Sequence, residues 1–209
     1  MTQGIPIILS APSGTGKSTI FKQLQQELPN LELSVSHTTR TPRPEERNGV
    51  DYFFIDEKEF KQKIHDGKLI EWTNVHNNFY GTSFDSVKKI QKTGNHIVLE
   101  LDVHGADMLK KINFEGVYIM ILPPSMEELH NRLRKRSTES EEKIKKRLET
   151  GKIEITHYLL YDYVITNKSI EESVKKIMNI IRAEESRSFR YIPSSEDIKK
   201  ILSAGKVKH

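Results

Sequence analysis

The residues best suited to chemistry on phosphates stand together at Ala11-Pro12-Ser13-Gly14-Thr15-Gly16-Lys17-Ser18. Glycine lets a backbone wrap closely round an anion, because no Cβ stands in the way. Successive N–H groups at the start of a helix point at such an anion, and the helix dipole adds positive potential. Lys17 supplies a cation for the terminal phosphates of a nucleoside triphosphate, and Ser18 offers a hydroxyl to Mg²⁺. The pattern G-x-x-x-x-G-K-[ST] is met at Gly16, Lys17 and Ser18, with Ala11 at its first position. A tight glycine turn explains Gly14 and Gly16 but not Lys17 followed by Ser18. The loop predicts a nucleoside triphosphate site.

Two further constellations bear on phosphate. Glu100 and Asp102 alternate with Leu99 and Leu101, which puts both carboxylates on one side of a strand. An acid at the carboxyl end of a parallel strand beside a phosphate loop is placed to support Mg²⁺ directly or through water. The segment Ser36-His37-Thr38-Thr39-Arg40-Thr41-Pro42-Arg43 sets two arginines three apart in an extended, proline-interrupted stretch. Paired guanidinium groups can hold a second phosphate by bidentate bonds. A solvated basic loop is the plain alternative.

These residues need a frame. Short β-rich apolar runs alternate with helical patterns, the signature of a parallel α/β sheet with crossover helices. Strands are expected at Ile5–Ser10, Leu33–Ser36, His96–Asp102, Val117–Leu122 and Tyr163–Thr166. Helices are expected at Lys17–Leu28, with Ile20, Leu24 and Leu28 inward, and at Ile170–Glu185, with Val174, Ile177 and Ile181 inward. The predicted class is α/β: a five-stranded parallel sheet with helices on both faces, a small mixed α/β insert and a helical lid. Residues 36–83 lack the core rhythm and form the insert, and the highly charged stretch 126–148 is a helix–loop–helix with sparse apolar residues. That leaves 1–35, 84–125 and 149–190 as the core and 191–209 as an appendage. In the appendage Ile198, Ile201 and Leu202 are helically spaced, which suits a helix against a partner subunit or a loosely docked end.

Composition narrows the function classes. The 209 residues contain 33 Lys and Arg against 29 Asp and Glu, a net charge of +4. So mild an excess, with no aromatic-rich recognition motif, argues against a nucleic-acid partner and fits a protein that grips phosphorylated small molecules. With no cysteine there is neither a disulfide framework nor a thiolate metal site, which fits a cytoplasmic location. The eight histidines show no metal-ligand spacing. No apolar run approaches a membrane span, and Met1–Ser10 has no basic region ahead of its apolar run, so neither membrane nor signal peptide is expected.

Downstream lie Asn48-Gly49-Val50-Asp51-Tyr52-Phe53-Phe54, Ile70-Glu71-Trp72 and Tyr80-Gly81-Thr82-Ser83. With S-V-S-H-T-T-R-T-P-R-P and S-A-P-S-G-T-G-K-S, in this order, they resemble the guanylate kinase family, above all its bacterial members. The likeness runs from about Ile7 to Glu185. It implies transfer of the γ-phosphate of ATP to GMP, with Mg²⁺, and weaker use of dGMP. By the same likeness Arg40, Arg43 and Tyr52 would hold the GMP phosphate, Tyr80 and Gly81 would line its site, and Ser36, Glu71, Thr82 and Asp102, with Glu100 nearby, would face the base. Ala11, Pro12, Ser13, Gly14, Thr15, Gly16, Lys17, Ser18 and Thr19 would hold ATP together with Arg132, Arg136 and Asn167. Lys17, Arg43, Arg136 and Arg147 would serve the transfer, and Ser18 and Glu100 the metal. Glu71 suits guanine physically, because one carboxylate can accept from its imino and amino groups side by side, a donor pair that adenine lacks.

One departure stands out. The segment after the last strand reads V-I-T-N-K-S, where the family usually continues N-D-D, so Lys168 and Ser169 replace two acids near the expected adenine. Rival readings are a peptide-binding module of the same fold, which would not need Lys17 and Ser18, and a P-loop kinase for another phosphorylated acceptor. Oligomeric state is open between monomer and homo-oligomer.

Overall fold

The computed structural model describes residues 4–75, 77–136, 140–190 and 194–203. In chain order the elements are β1 (Pro6–Ser10), α1 (Lys17–Glu27), β2 (Leu31–Leu33), β3 (His37–Thr38), β4 (Phe53–Phe54) and α2 (Glu57–His65). Then come β5 (Leu69–Val75), β6 (Asn78–Ser83), α3 (Phe84–Gln91), β7 (His96–Glu100), α4 (Val103–Lys111) and β8 (Val117–Leu122). The chain continues with α5 (Met126–Arg136), α6 (Glu141–Thr156), a 3₁₀ turn (Tyr158–Leu160), β9 (Tyr163–Thr166), α7 (Ile170–Glu185) and α8 (Ser195–Ser203).

A five-stranded parallel sheet in the order β2-β7-β1-β8-β9 forms the centre. Its three inner strands, β7, β1 and β8, are mainly apolar on both faces, as burial under crossover helices requires. Alternation sorts their side chains. Ile7, Leu9, Val98, Val117, Ile119 and Ile121 pack with α1 and α7. Ile8, Ile97, Leu99, Tyr118 and Met120 pack with α3 and α4 on the other face. The inward residues read from helical spacing lie as expected: Ile20, Leu24, Val174, Ile177 and Ile181 are all buried, and Leu28 is partly so.

The first strand starts one residue later than the sequence reading, at Pro6, and two other strand boundaries differ by two residues or more. The second strand is Leu31–Leu33, not Leu33–Ser36, because Leu31 is the residue that buries, paired with His96 on β7. After Ser34 donates to the Val98 carbonyl at 2.9 Å, the chain leaves the sheet and carries Ser36 to the cleft. The β7 strand stops at Glu100, not Asp102, since Asp102 caps α4 by accepting the Gly105 N–H at 2.8 Å. Capping of that kind turns a strand end into a helix start.

The second sheet is mixed, in the order β4-β3-β6-β5, and Phe60 of α2 is buried against it, stacked on Phe79. Helices α5 and α6 form a hairpin closed by Leu129, Leu133 and Ile144, with Met126 and Leu148 alongside. Its second helix runs on to Thr156, past the expected end at Leu148.

Candidate active site

The parallel register gathers the carboxyl ends of the central strands. Leu9 pairs with Glu100, Ser10 with Met120 and Leu122 with Thr166. A crevice at that edge, where neighbouring connections diverge, is the expected ligand site of an open α/β sheet. A cleft of about 400 Å³ lies there.

Its first wall is the loop from Ala11 to Ser18. Gly14 (φ 89°) and Gly16 (φ 104°) lie in the left-handed region. A Cβ on Gly14 would come 2.8 Å from Leu133 Cδ2, and one on Gly16 would come 2.9 Å from Asn167 Nδ2. Both glycines are therefore required by conformation and by space. Gly16 is the N-cap of α1 and offers no side-chain acceptor, so the first N–H groups of the helix remain available to an anion. Lys17 and Ser18 line the same space, whereas Thr19, expected with them, is exposed beyond it.

The opposite wall comes from the second sheet. Alternation on β5 turns Glu71, Thr73 and Val75 into the cleft, and Ser36, Tyr52 and Tyr80 join them. Glu71 is 3% exposed. Burial pushes its carboxyl up to about 7, Asp102 adds to the rise, and contacts with Thr82 oppose it. The Ser36 and Thr82 hydroxyls lie 3.2 Å apart. Gly105 of α4 marks a close approach: a Cβ there would lie 3.0 Å from Glu71 Oε2 and 3.5 Å from Asp102 Oδ1. Gly81, also expected at the ligand, is closely packed: a Cβ there would meet the Glu71 carbonyl at 2.9 Å and Phe60 Cζ at 3.0 Å. Thr82 is fully buried behind Ser36.

Glu100 and Asp102 both reach the cleft, as their alternation predicts. Glu100 Oε1 is buried with no hydrogen-bond partner among the described residues. Asp102 commits Oδ1 to the Gly105 N–H.

The expected arginines divide. Arg40 is clamped by Glu46, whose two oxygens accept from Nη2 at 2.8 and 2.9 Å, and this pairing holds the guanidinium above its ordinary pKa. Arg43 stands outward with its side chain 75% exposed. Arg132 braces the loop from outside, donating to the Thr15 carbonyl at 3.1 Å and pairing with Glu128 at 2.8 Å. Arg147 donates to Ser13 Oγ at 2.5 Å. The side chain of Arg136 lies outside the described residues.

Asn167 is not among the residues that line the cleft. It is 1% exposed, donates to the Thr15 carbonyl at 2.7 Å and accepts from Ser173 Oγ at 3.0 Å. It supports the loop from beneath. Ser169, one of the two departures beside it, caps α7 by accepting the Glu172 N–H at 3.2 Å, and Lys168 is exposed.

The family model described as Guanylate kinase matches residues 3–184. A guanylate kinase of Caldanaerobacter subterraneus subsp. tengcongensis is 47% identical over 88% of this chain and 90% of its own. One of Desulfitobacterium hafniense is 43% identical over 88% and 92%. The crystal structure of guanylate kinase from Anaplasma phagocytophilum matches with a TM-score of 0.75 at 33% identity, covering 98% of this chain and 96% of that one. The chain belongs to the guanylate kinase family.

Membership accounts for a cleft with the glycine-rich loop on one wall and Glu71 of the second sheet on the other. Three lining residues went unremarked in the sequence. Thr73 and Val75 follow Glu71 at the strand period, a signal that was legible. Glu154 lies seven residues beyond Arg147 on α6, hence on the same helix face. Burial pushes its carboxyl up to about 7, helped by Asp102 and opposed by Lys17 and His157.

Proposed function

We propose that this chain transfers the γ-phosphate of ATP to GMP, forming ADP and GDP, as an enzyme of the guanylate kinase family. The observation that carries the residue-level reading is that one cleft is lined by the Lys17 loop and by Ser36, Tyr52, Glu71 and Tyr80. Donor and acceptor can therefore lie end to end.

A phosphate oxygen of GMP attacks the γ-phosphorus in line as the bond to the β-phosphate oxygen breaks and ADP leaves. No covalent nucleophile of the protein is needed. The loop N–H groups and Lys17 hold the triphosphate and meet charge as it moves to the leaving oxygen. Arg40, Tyr52 and Tyr80 hold the acceptor phosphate, and Arg43 swings in from its exposed position. Glu71, ionised, accepts from guanine, with the Ser36 and Thr82 hydroxyls beside it. The α5–α6 hairpin acts as a lid that brings Arg147, with Arg132 and Arg136, over the phosphates and excludes water.

Mg²⁺ fits the residues present. The buried, unpartnered Glu100 Oε1 and the Ser18 hydroxyl are hard oxygen donors at the loop. Ser18 and Glu100 would hold such a cation against the triphosphate. When bound, it neutralises phosphate charge and aligns the triphosphate. No described helix is long and apolar enough to cross a membrane. A cytoplasmic enzyme using small nucleotides, with dGMP as a weaker acceptor, completes this reading.

The test is ADP release coupled to an indicator, with ATP, Mg²⁺ and GMP, dGMP, AMP, CMP or UMP. Fast turnover with GMP and slower turnover with dGMP alone is expected. Absence of GMP-dependent turnover from folded protein that binds ATP would overturn the assignment.

A further inference from the structure

The carboxylate of Glu46 touches both arginines of the acceptor-phosphate bay. Its two oxygens hold Arg40 Nη2 at 2.8 and 2.9 Å, and Oε2 also accepts the Arg43 backbone N–H at 2.8 Å. The Glu46 N–H returns a bond to the Arg43 carbonyl at 3.0 Å, which closes the turn between them. A single side chain thus fixes the head group of one arginine and the backbone of the other.

The rest of Arg40 is fixed as well. Nη1 donates to the Thr41 carbonyl at 2.8 Å, and the guanidinium carbon lies 5.6 Å from the Tyr52 ring centre and 5.8 Å from that of Phe54. Tyr52 lines the cleft. The Arg40 and Glu46 side chains are 18% and 16% exposed. An unpaired arginine has to give up rotamer entropy when it grips a ligand. An arginine already paired and stacked gives up less. The Arg43 head group is 3.9 Å from Glu46, beyond hydrogen-bond length, and its side chain is 75% exposed. Pairing with Arg40 holds the Glu46 carboxyl below its ordinary range, so the clamp is charged near neutral pH.

We propose that Glu46 is a positioning residue for the acceptor's phosphate, acting through Arg40 and through the turn that presents Arg43. This rests on the assignment of GMP as acceptor, and Glu46 itself does not touch the substrate. A carboxylate between two arginines might be taken for a rival of the phosphate. Its hydrogen bonds run to one guanidinium nitrogen and one backbone N–H, however, and include none to the Arg43 guanidinium.

Steady-state kinetics of Glu46→Gln, with GMP varied at saturating ATP and Mg²⁺, test the proposal. Guanosine, which has the base without the phosphate, serves as a competitive inhibitor in the same assay. The KM for GMP should rise at least tenfold, while kcat, the KM for ATP and inhibition by guanosine each stay within twofold. In an Arg40→Ala background the same change should add less than threefold, because its effect passes mainly through Arg40. A KM for GMP within twofold of wild type overturns the proposal. A lowered KM also overturns it and makes Glu46 a competitor. Equal weakening of GMP and guanosine overturns it in favour of a folding role in the second sheet. If wild-type protein shows no GMP-dependent turnover, the acceptor assignment fails, an outcome distinct from these.

Discussion

At the scale of single residues the cleft presents an acid whose two duties oppose each other. On the proposed reading Glu71 is ionised to accept from guanine, yet its burial favours the neutral form and lifts its pKa from 4.5 to about 7. Its folded value is above its unfolded one, so it adds stability below pH 4.5 that is lost as pH rises through 7. The full span is about 3 kcal/mol for so buried a group. Glutamine mimics the neutral form, so Glu71→Gln should gain stability relative to wild type between pH 5 and 8.5, read from urea midpoints. Its GMP phosphorylation should fall roughly 100-fold, since a charged hydrogen-bond acceptor to the base is lost. For the wild type, GMP affinity should weaken about tenfold per pH unit below 7, and titration calorimetry across pH checks the sign. Lys17→Ala addresses the other end of the cleft. Loss of roughly 10³-fold in kcat with an unchanged circular dichroism spectrum is expected.

Secondary-structure elements set how firmly those residues are held. Asn167, at the end of β9, ties the phosphate loop to α7 through Thr15 and Ser173. Asn167→Ala leaves the Thr15 carbonyl without that donor, at a cost of about 2 kcal/mol in a denaturation midpoint. The KM for ATP should rise several-fold while that for GMP holds, because the disturbed element belongs to the donor side alone. How far such elements were legible depended on their punctuation. The strand Val117–Leu122 ends before Pro123-Pro124, and the helix Ile170–Glu185 begins after the capping Ser169, so both were bounded correctly from sequence. The strand Leu31–Leu33 follows the turn residues Pro29-Asn30, a mark the sequence reading passed over, and its short length is set by pairing with β7, which is a tertiary fact. The phosphate loop was legible because its chemistry is contiguous. Glu46 and Gly105 were not: the first matters through its contact with Arg40, the second through the approach of Glu71, and neither leaves a local pattern.

Over the whole molecule, stability and function are unevenly distributed. The central sheet is sealed by α1 and α7 on one face and by α3 and α4 on the other. Ile177 of α7 is 1% exposed in that core, so Ile177→Ala should cost about 2–5 kcal/mol through lost burial and an unfilled cavity. The neighbouring element differs in kind. None of the residues of α8 is buried, and Ile198, Ile201 and Leu202 are 43%, 66% and 74% exposed. Little apolar area is therefore returned to water when α8 is removed, and the cleft lies at the carboxyl edge of the sheet, where none of its lining residues comes from α8. A chain ending at Ser194 should keep its urea midpoint within about 0.5 kcal/mol of the full-length protein, as surface changes usually do. Its kcat and both KM values should also be unchanged. A large drop in midpoint, above all one that depends on protein concentration, would instead mean that α8 is covered in solution by another subunit and that this helix belongs to the folded core of an assembly.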